Sequence, residues 1–438
     1  MPAPPAPATP RPALTIMVSR QLDSMTTGND AYLMVLLRAA KAAGMSIRIA
    51  FAPTMSFSNR PWLRMHDAYW GVIDGYAWPG AILRGRTFWS LSPRVWGRFA
   101  LRLVKEALKR AGLDKSKPHS FLADVPWESE ARALAAAADA SPSALVVAEY
   151  SSLGPVLDRL KTGARKAVFL HDLFSSRADA FKDAGGAPDH EMITVEEEAA
   201  RCRPADMLIY ASLNEAARFG PLNPGKTAVW LRPEVPEHAI SEDPAAAPRA
   251  VFLGTRHGGN KDALNHLVAD IWPLVRAKKA DAELWIVGSV IADLDPALGG
   301  TPGVKSLGRV EQLGSIGGAG SIGLAPTRIA SGVSIKVAEY LRLGMPTIAY
   351  PLALEGFGAT LNDLVDIETS PQAFADRIVA LLGDYAGRVQ RGARGRSEAA
   401  RRLDNVELVN LLKGLAQPQA AASRPLPAAQ AATPASAR

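Results

Sequence analysis

Ser331-Gly332-Val333-Ser334-Ile335-Lys336-Val337-Ala338-Glu339, then Leu343-Gly344-Met345-Pro346 and Thr347-Ile348-Ala349-Tyr350 ahead of Pro351, carries more information than any other stretch. A turn of small residues opens a helix over Ser334–Leu343, and a strand follows over Thr347–Tyr350. The first turn of a helix has backbone N–H groups without intrahelical partners and the positive end of the dipole, so it can hold phosphate. Lys336 adds a mobile positive charge. Glu339, one turn further on, is placed to accept hydrogen bonds from sugar hydroxyls. A site that reads phosphate and sugar together suggests a nucleotide-sugar.

Outward from this element, strands and helices alternate in both directions. Leu14–Val18 reads as a buried strand, and the loop Ser24–Asp30 leads into a helix that runs to about Ala43 and stops at Gly44. A second strand, Ser46–Phe51, ends at Pro53; further strands are expected at Ala144–Ala148, Ala167–Leu170 and Met207–Tyr210. A second block begins at Ala250–Gly254 and continues through a helix over about Asp262–Ala277. Strands at Glu283–Val287, Val304–Leu307 and Ile322–Ala325 follow. Repeated βαβ patterning implies parallel sheets with helices on both faces. At 438 residues the chain exceeds one core and fits two domains. The expected fold class is α/β: two Rossmann-like domains with parallel sheets facing a central cleft, ligands lying at the carboxyl ends of the strands.

The expected boundaries are a disordered tail at 1–12, a first domain at 13–236, a Pro/Ala/acid-rich linker at 237–248, and a second domain at 249–385. C-terminal helices at 386–416 and a second disordered tail at 417–438 complete the chain. The formal charge of +7 fits either an Arg-rich proteome or an anionic ligand or surface. No zinc-finger spacing, RNP-type strand or basic helix–turn–helix is visible, so nucleic acid is not expected as a partner. Cys202 is the single cysteine, which rules out an intramolecular disulfide and suits a reducing compartment. Met1–Pro12 lacks the apolar stretch of a signal peptide, and no run of 18 apolar residues occurs. The expected location is cytoplasmic, soluble or peripheral, including the inner face of the cell membrane.

Gly318-Ala319-Gly320-Ser321-Ile322-Gly323 matches the dinucleotide pattern G-x-G-x-x-G. That fingerprint must follow a strand and open a helix, whereas these glycines run into the strand Ile322–Ala325. A loop is the better reading.

Several pieces occur in a specific order. Phe252-Leu253-Gly254 comes first, then Asn260, Asp262, Ala263 and Leu264, then Ile271-Trp272-Pro273-Leu274. Leu284-Trp285-Ile286-Val287-Gly288 and Leu307-Gly308-Arg309-Val310 follow, and Ala325-Pro326 runs into Ser331–Glu339, with Gly344, Pro346 and Glu355-Gly356 behind. This series resembles the nucleotide-sugar-binding domain of the family 4-like glycosyltransferases of the GT-B fold, over about Ala250 to Phe357. The resemblance implies that Glu339 binds ribose hydroxyls, that Val333, Ser334 and Ile335 offer backbone N–H groups to the diphosphate, and that Ser331 and Gly332 belong to the same donor-binding turn. It implies that Arg256 and Lys261 stabilise the leaving diphosphate, and that Arg309 lies near the base. Many family members have a glutamate eight positions before the ribose-binding one; here that position is Ser331, which supplies no negative charge to the sugar.

In the first half, Phe169-Leu170-His171-Asp172-Leu173-Phe174 follows a strand and resembles the His-Asp motif of the acceptor-side domain in a bacterial branch of the family. His171 either faces the cleft and acts on donor or acceptor, or caps and packs; Asp172 either shares that role or caps a helix. Gly28 and Asn29 lie in the loop after the first strand, where relatives approach donor phosphates and where a plain turn would serve equally. No Asp-x-Asp stands where a cation-binding motif belongs, so neither metal nor cofactor is expected beyond the nucleotide-sugar substrate.

Residues 61–111 set the chain apart: Trp62, Trp70, Trp78, Trp89 and Trp96 are interleaved with Arg64, Arg84, Arg86, Arg94, Arg98, Arg102 and Lys105. They suit a membrane interface or a lipid-diphosphate acceptor, or a helical cover with tryptophan in its core. The reading that unites these features is a retaining hexosyl transfer from a nucleotide-sugar to a lipid-linked or surface-polysaccharide precursor. The alternatives are a GT-B-like nucleotide-sugar 2-epimerase and a catalytically degenerate scaffold at a membrane.

Overall fold

The structure is a computed structural model that describes residues 12–25, 27–111, 121–176, 192–240, 247–329 and 332–417. The strands are β1 (Ala13–Val18), β2 (Ser46–Phe51), β3 (Trp62–Arg64), β4 (Gly75–Ala77), β5 (Ala81–Arg84), β6 (Thr87–Ser90), β7 (Leu145–Glu149), β8 (Arg165–Leu170), β9 (Met207–Tyr210) and β10 (Thr227–Trp230) in the first half. The second half holds β11 (Arg249–Leu253), β12 (Leu284–Val287), β13 (Val304–Gly308), β14 (Ser321–Ala325), β15 (Thr347–Ala349) and β16 (Asp366–Ile367).

Two parallel sheets organise the molecule. The first has the order β10-β9-β8-β7-β1-β2-β4 and the second β13-β12-β11-β14-β15-β16. β1 is buried along its whole length because it lies between β7 and β2 with helices on both faces. The helix Gly28–Ala42 starts in a capping box, in which the Thr27 hydroxyl accepts from the Asp30 N–H and the Asp30 carboxylate accepts from the Thr27 N–H.

Three differences from the sequence reading have physical causes. The helix expected from Asp262 begins at Gly258, where His257 caps it by accepting from the Gly259 N–H. It then widens into a π turn, Leu267–Ile271, before continuing as Trp272–Lys278. Pro273 cannot donate to the preceding turn and its ring crowds the carbonyl there, which accounts for the widened ladder. Second, residues 61–111 contain β structure as well as a helix. β3, β6 and β5 form an antiparallel sheet, and β4 extends the main sheet beside β2. Trp78 lies in the core with its ring 4.3 Å from Phe51 and 4.2 Å from Phe57. Third, the last helix, Val406–Ala416, returns to the first domain, where Leu408 and Leu412 join the core that includes β1 and the Gly28–Ala42 helix.

Candidate active site

The second domain presents its turn and helix at the carboxyl end of β14. Gly332 takes a positive φ of 73°, a conformation open to glycine at little strain. The helix spans Ile335–Arg342 with Ser334 at its N-cap, and the Ser334 side chain makes no capping bond. The Ile335 N–H turns back to the Val333 carbonyl at 3.0 Å, so this group is engaged within the turn itself. Tyr340 fixes the helix: its hydroxyl accepts from the Leu253 N–H at 2.7 Å and donates to the Leu324 carbonyl at 3.0 Å, bridging β11 and β14. Gly323 makes room for that ring, since a Cβ there would lie 2.3 Å from Tyr340 Cγ. The last glycine of the apparent dinucleotide motif therefore serves packing.

Lys336 donates to Asn260 Oδ1 at 2.6 Å and lies 4.5 Å over the Phe252 ring. Burial lowers its pKa to about 8, against the upward pull of Glu339. Burial likewise raises Glu339 above the ordinary carboxylate range, with Lys336 acting in the opposite direction. Arg256 is exposed and donates through Nη2 and Nε to Asp293 Oδ1 at 2.9 and 3.1 Å, a contact that raises its pKa. Lys261 and Arg309 are exposed, the first on the Gly258–His266 helix and the second just beyond β13. Ser331 lies outside the described residues.

The first domain answers with a buried charge cluster at the carboxyl ends of its strands. Arg20, two residues past β1, donates to Glu149 at the end of β7 (3.0 Å) and to Asp30 (2.5 Å). Glu149 Oε1 also lies 2.9 Å from His171 Nε2, just past β8, while Tyr69 donates to Asp30 at 3.1 Å. Burial alone would push the Arg20 guanidinium down; Glu149 first, then tyrosines and Asp30, hold it well above its usual value. Burial opposes the Glu149 charge, but Arg20 and His171 keep this carboxyl below the ordinary range. His171 is 4% exposed, and its Nδ1 is buried without a hydrogen-bond partner. With Nε2–H donated to Glu149, Nδ1 carries the lone pair and can accept a hydrogen bond.

The two sides meet. A methyl on Gly332 would sit 3.4 Å from the His171 carbonyl oxygen and 3.5 Å from Asp172 Cβ, and one on Gly28 would sit 3.6 Å from Ile335 Cδ1. The Asn29 carbonyl accepts from Arg20 at 3.4 Å, and Val333 and Ile335 pack against the first domain's core. Gly28, Asn29 and His171 are thus brought to Gly332–Ile335, whereas Arg256, Lys261 and Arg309 stand further out on exposed positions of the second domain. Arg20, Asp30, Tyr69, Glu149 and Glu215 escaped the sequence reading. Their ion pairs and hydrogen bonds join residues up to 129 positions apart, and only Asp30 belongs to a local motif, the capping box with Thr27.

Residues 247–384 match the family model for Glycosyl transferases group 1. The chain carries a group 1 glycosyltransferase domain on a GT-B fold. Sucrose-phosphate synthase from Thermosynechococcus elongatus is similar in structure, with 16% identity, a TM-score of 0.56, and 92% of this chain and 98% of that chain covered. The Anabaena protein HepE in complex with UDP gives 12% identity and a TM-score of 0.57, with the same coverage of 92% and 98%. The trehalose-6-phosphate synthase OtsA gives 13%, 0.52, and 92% and 97%. Among curated proteins none matches this chain. The matched domain holds the turn, Lys336 and Glu339, while the buried His171 cluster belongs to the other half of the cleft.

Proposed function

We propose that the chain moves a sugar from a nucleotide-sugar onto a lipid-linked or surface-polysaccharide precursor at the inner face of a membrane. The observation that carries this is the approach of Gly28 and His171–Asp172 to Gly332 and Ile335, which makes one site from two domains. As the sugar–phosphate bond breaks, the sugar gains oxocarbenium character and negative charge grows on the departing diphosphate. Groups that bind that charge more strongly in the transition state lower the barrier. The helix start at Ser334–Lys336 supplies a dipole and an ammonium, and Arg256 and Lys261 add charge from the rim. Glu339 holds the ribose hydroxyls and Arg309 lies by the base. His171 Nδ1 accepts from a hydroxyl of the transferred hexose, and neither metal nor cofactor takes part. Retention of anomeric configuration is the stereochemistry we assign.

Product analysis with a panel of nucleotide-sugars and a lipid-diphosphate acceptor tests this. Acceptor-dependent release of nucleotide and a glycosylated lipid are expected. Interconversion of free nucleotide-sugars without acceptor would replace the proposal with epimerisation, and binding without transfer would leave a scaffold.

A further inference from the structure

The helix Pro93–Arg110 has only Val95 buried among its eighteen residues. At 100° per residue, Leu103, Trp96, Ala107, Ala100, Val104 and Leu108 fall within an arc of about 140°, and Val104 lies opposite Val95. The apolar arc therefore points away from the domain. Leu101 is 56% exposed, Leu103 and Val104 54% each. Arg94, Lys105, Arg98, Lys109 and Arg102 form the adjoining arc. Ile82 and Leu83 of β5 and Leu91 are exposed as well.

A helix with this little tertiary packing is marginal in water, because packing of an apolar face supplies most helical stability. Something must cover that face. The chain outside the described residues offers only Met1, Leu113, Phe181 and Leu426 as large apolar side chains. A second copy would bring another basic helix against this one. No helix among the described residues is long and apolar enough to cross a membrane. Six basic residues against Glu106 beside an outward apolar stripe complement an anionic bilayer surface, with the stripe among the acyl chains and the cations at the headgroups.

We infer that Pro93–Arg110, with the exposed edge of β5, docks this chain in the plane of an anionic lipid surface. The helix is tied to the cleft: Arg98 donates to the Thr54 carbonyl at 2.6 Å, and Thr54 lies just beyond the carboxyl end of β2. Docking here sets the first-domain side of the cleft against the bilayer that holds a lipid-linked acceptor. The inference deepens the proposed function and rests on it for the acceptor, not for the binding.

The test is co-sedimentation of the full chain with phosphatidylcholine vesicles, with and without phosphatidylglycerol, alongside thermal shift with nucleotide-sugars. Binding to the anionic vesicles is expected, weakening with salt. Leu103→Glu with Val104→Glu should reduce it by at least about tenfold, with Lys105→Glu and Lys109→Glu reducing it mainly at low salt, and all keeping the nucleotide-sugar shift. No vesicle binding, equal binding by the Leu103/Val104 variant, or a dimer in light scattering that this variant splits would overturn the inference. Vesicle binding without any nucleotide-sugar shift would leave docking intact and remove the transferase reading instead.

Discussion

The Glu215 carboxylate, on the first-domain helix Leu213–Phe219, accepts a hydrogen bond from the backbone N–H of Gly332, which opens the turn ahead of the second domain's Ile335–Arg342 helix. It also accepts from the Leu173 N–H at 3.3 Å, beside the His171–Asp172 pair. Asn214 next to it donates to Glu355 at 3.2 Å, so one short helix clips the two domains together at the cleft.

Burial first, and then Asp172, raise the Glu215 pKa to about 8; Glu198 pushes it the same way. The folded protein thus holds this proton more tightly than the unfolded chain does. Its stabilising contribution is complete below about pH 4.5 and is lost as pH rises to about 8. Glu215→Gln keeps an oxygen for Gly332 and Leu173 but cannot ionise. The melting temperature of the variant should fall less than that of the wild type across this window; equal slopes would contradict the assignment.

Lys336 has a pKa lowered to about 8 by burial, so its charge is lost as pH rises through that value. Affinity for a nucleoside diphosphate should decline over the same range. Lys336→Met should weaken binding by about 10- to 100-fold, the range for a charge-assisted hydrogen bond, and flatten the pH dependence. Isothermal titration at several pH values reads both effects.

Arg20 neutralises two buried carboxylates, Glu149 and Asp30. Arg20→Met should lower stability by about 3–5 kcal/mol, the range for removing one partner of a buried pair, measured by urea denaturation. Glu149→Gln should be milder in stability, yet its amide can donate to His171 Nε2 and reverse the tautomer. That change should lower kcat with little change in donor KM and shift the pH profile, which a purely structural role would not do.

Gly323→Ala should destabilise by about 1–3 kcal/mol through overpacking, because the new methyl meets Tyr340. Tyr340 neighbours Glu339 on one helix, so donor affinity should fall as well. Thermal melts with and without ligand separate the two losses.

Much of this molecule is legible along the chain. Leu14–Val18 reads as a strand because a parallel strand buried on both faces is a near-continuous apolar run, and Ser46–Phe51 because apolar residues alternate with Ser46 and Arg48 before its buried end. The Ile335–Arg342 helix reads as a phosphate site because its turn, its lysine and Glu339 are neighbours in sequence. Arg20, Glu149 and Glu215 do not, since each is meaningful only through a partner brought in by the fold. β3, β5 and β6 were hidden for another reason: they are three, four and four residues long, too short for a period of two to show.

The central claim is that Glu339 and the helix start before it hold the nucleotide of the donor. The most direct measurement is the thermal shift of wild type and Glu339→Ala against a panel of nucleotide-sugars, after confirming that the free variant melts in one transition. The wild type should be stabilised by about 2.7 kcal/mol at 100 times the dissociation constant of its donor, and the variant at the same concentration should show little or no shift. An undiminished shift in Glu339→Ala would contradict the account.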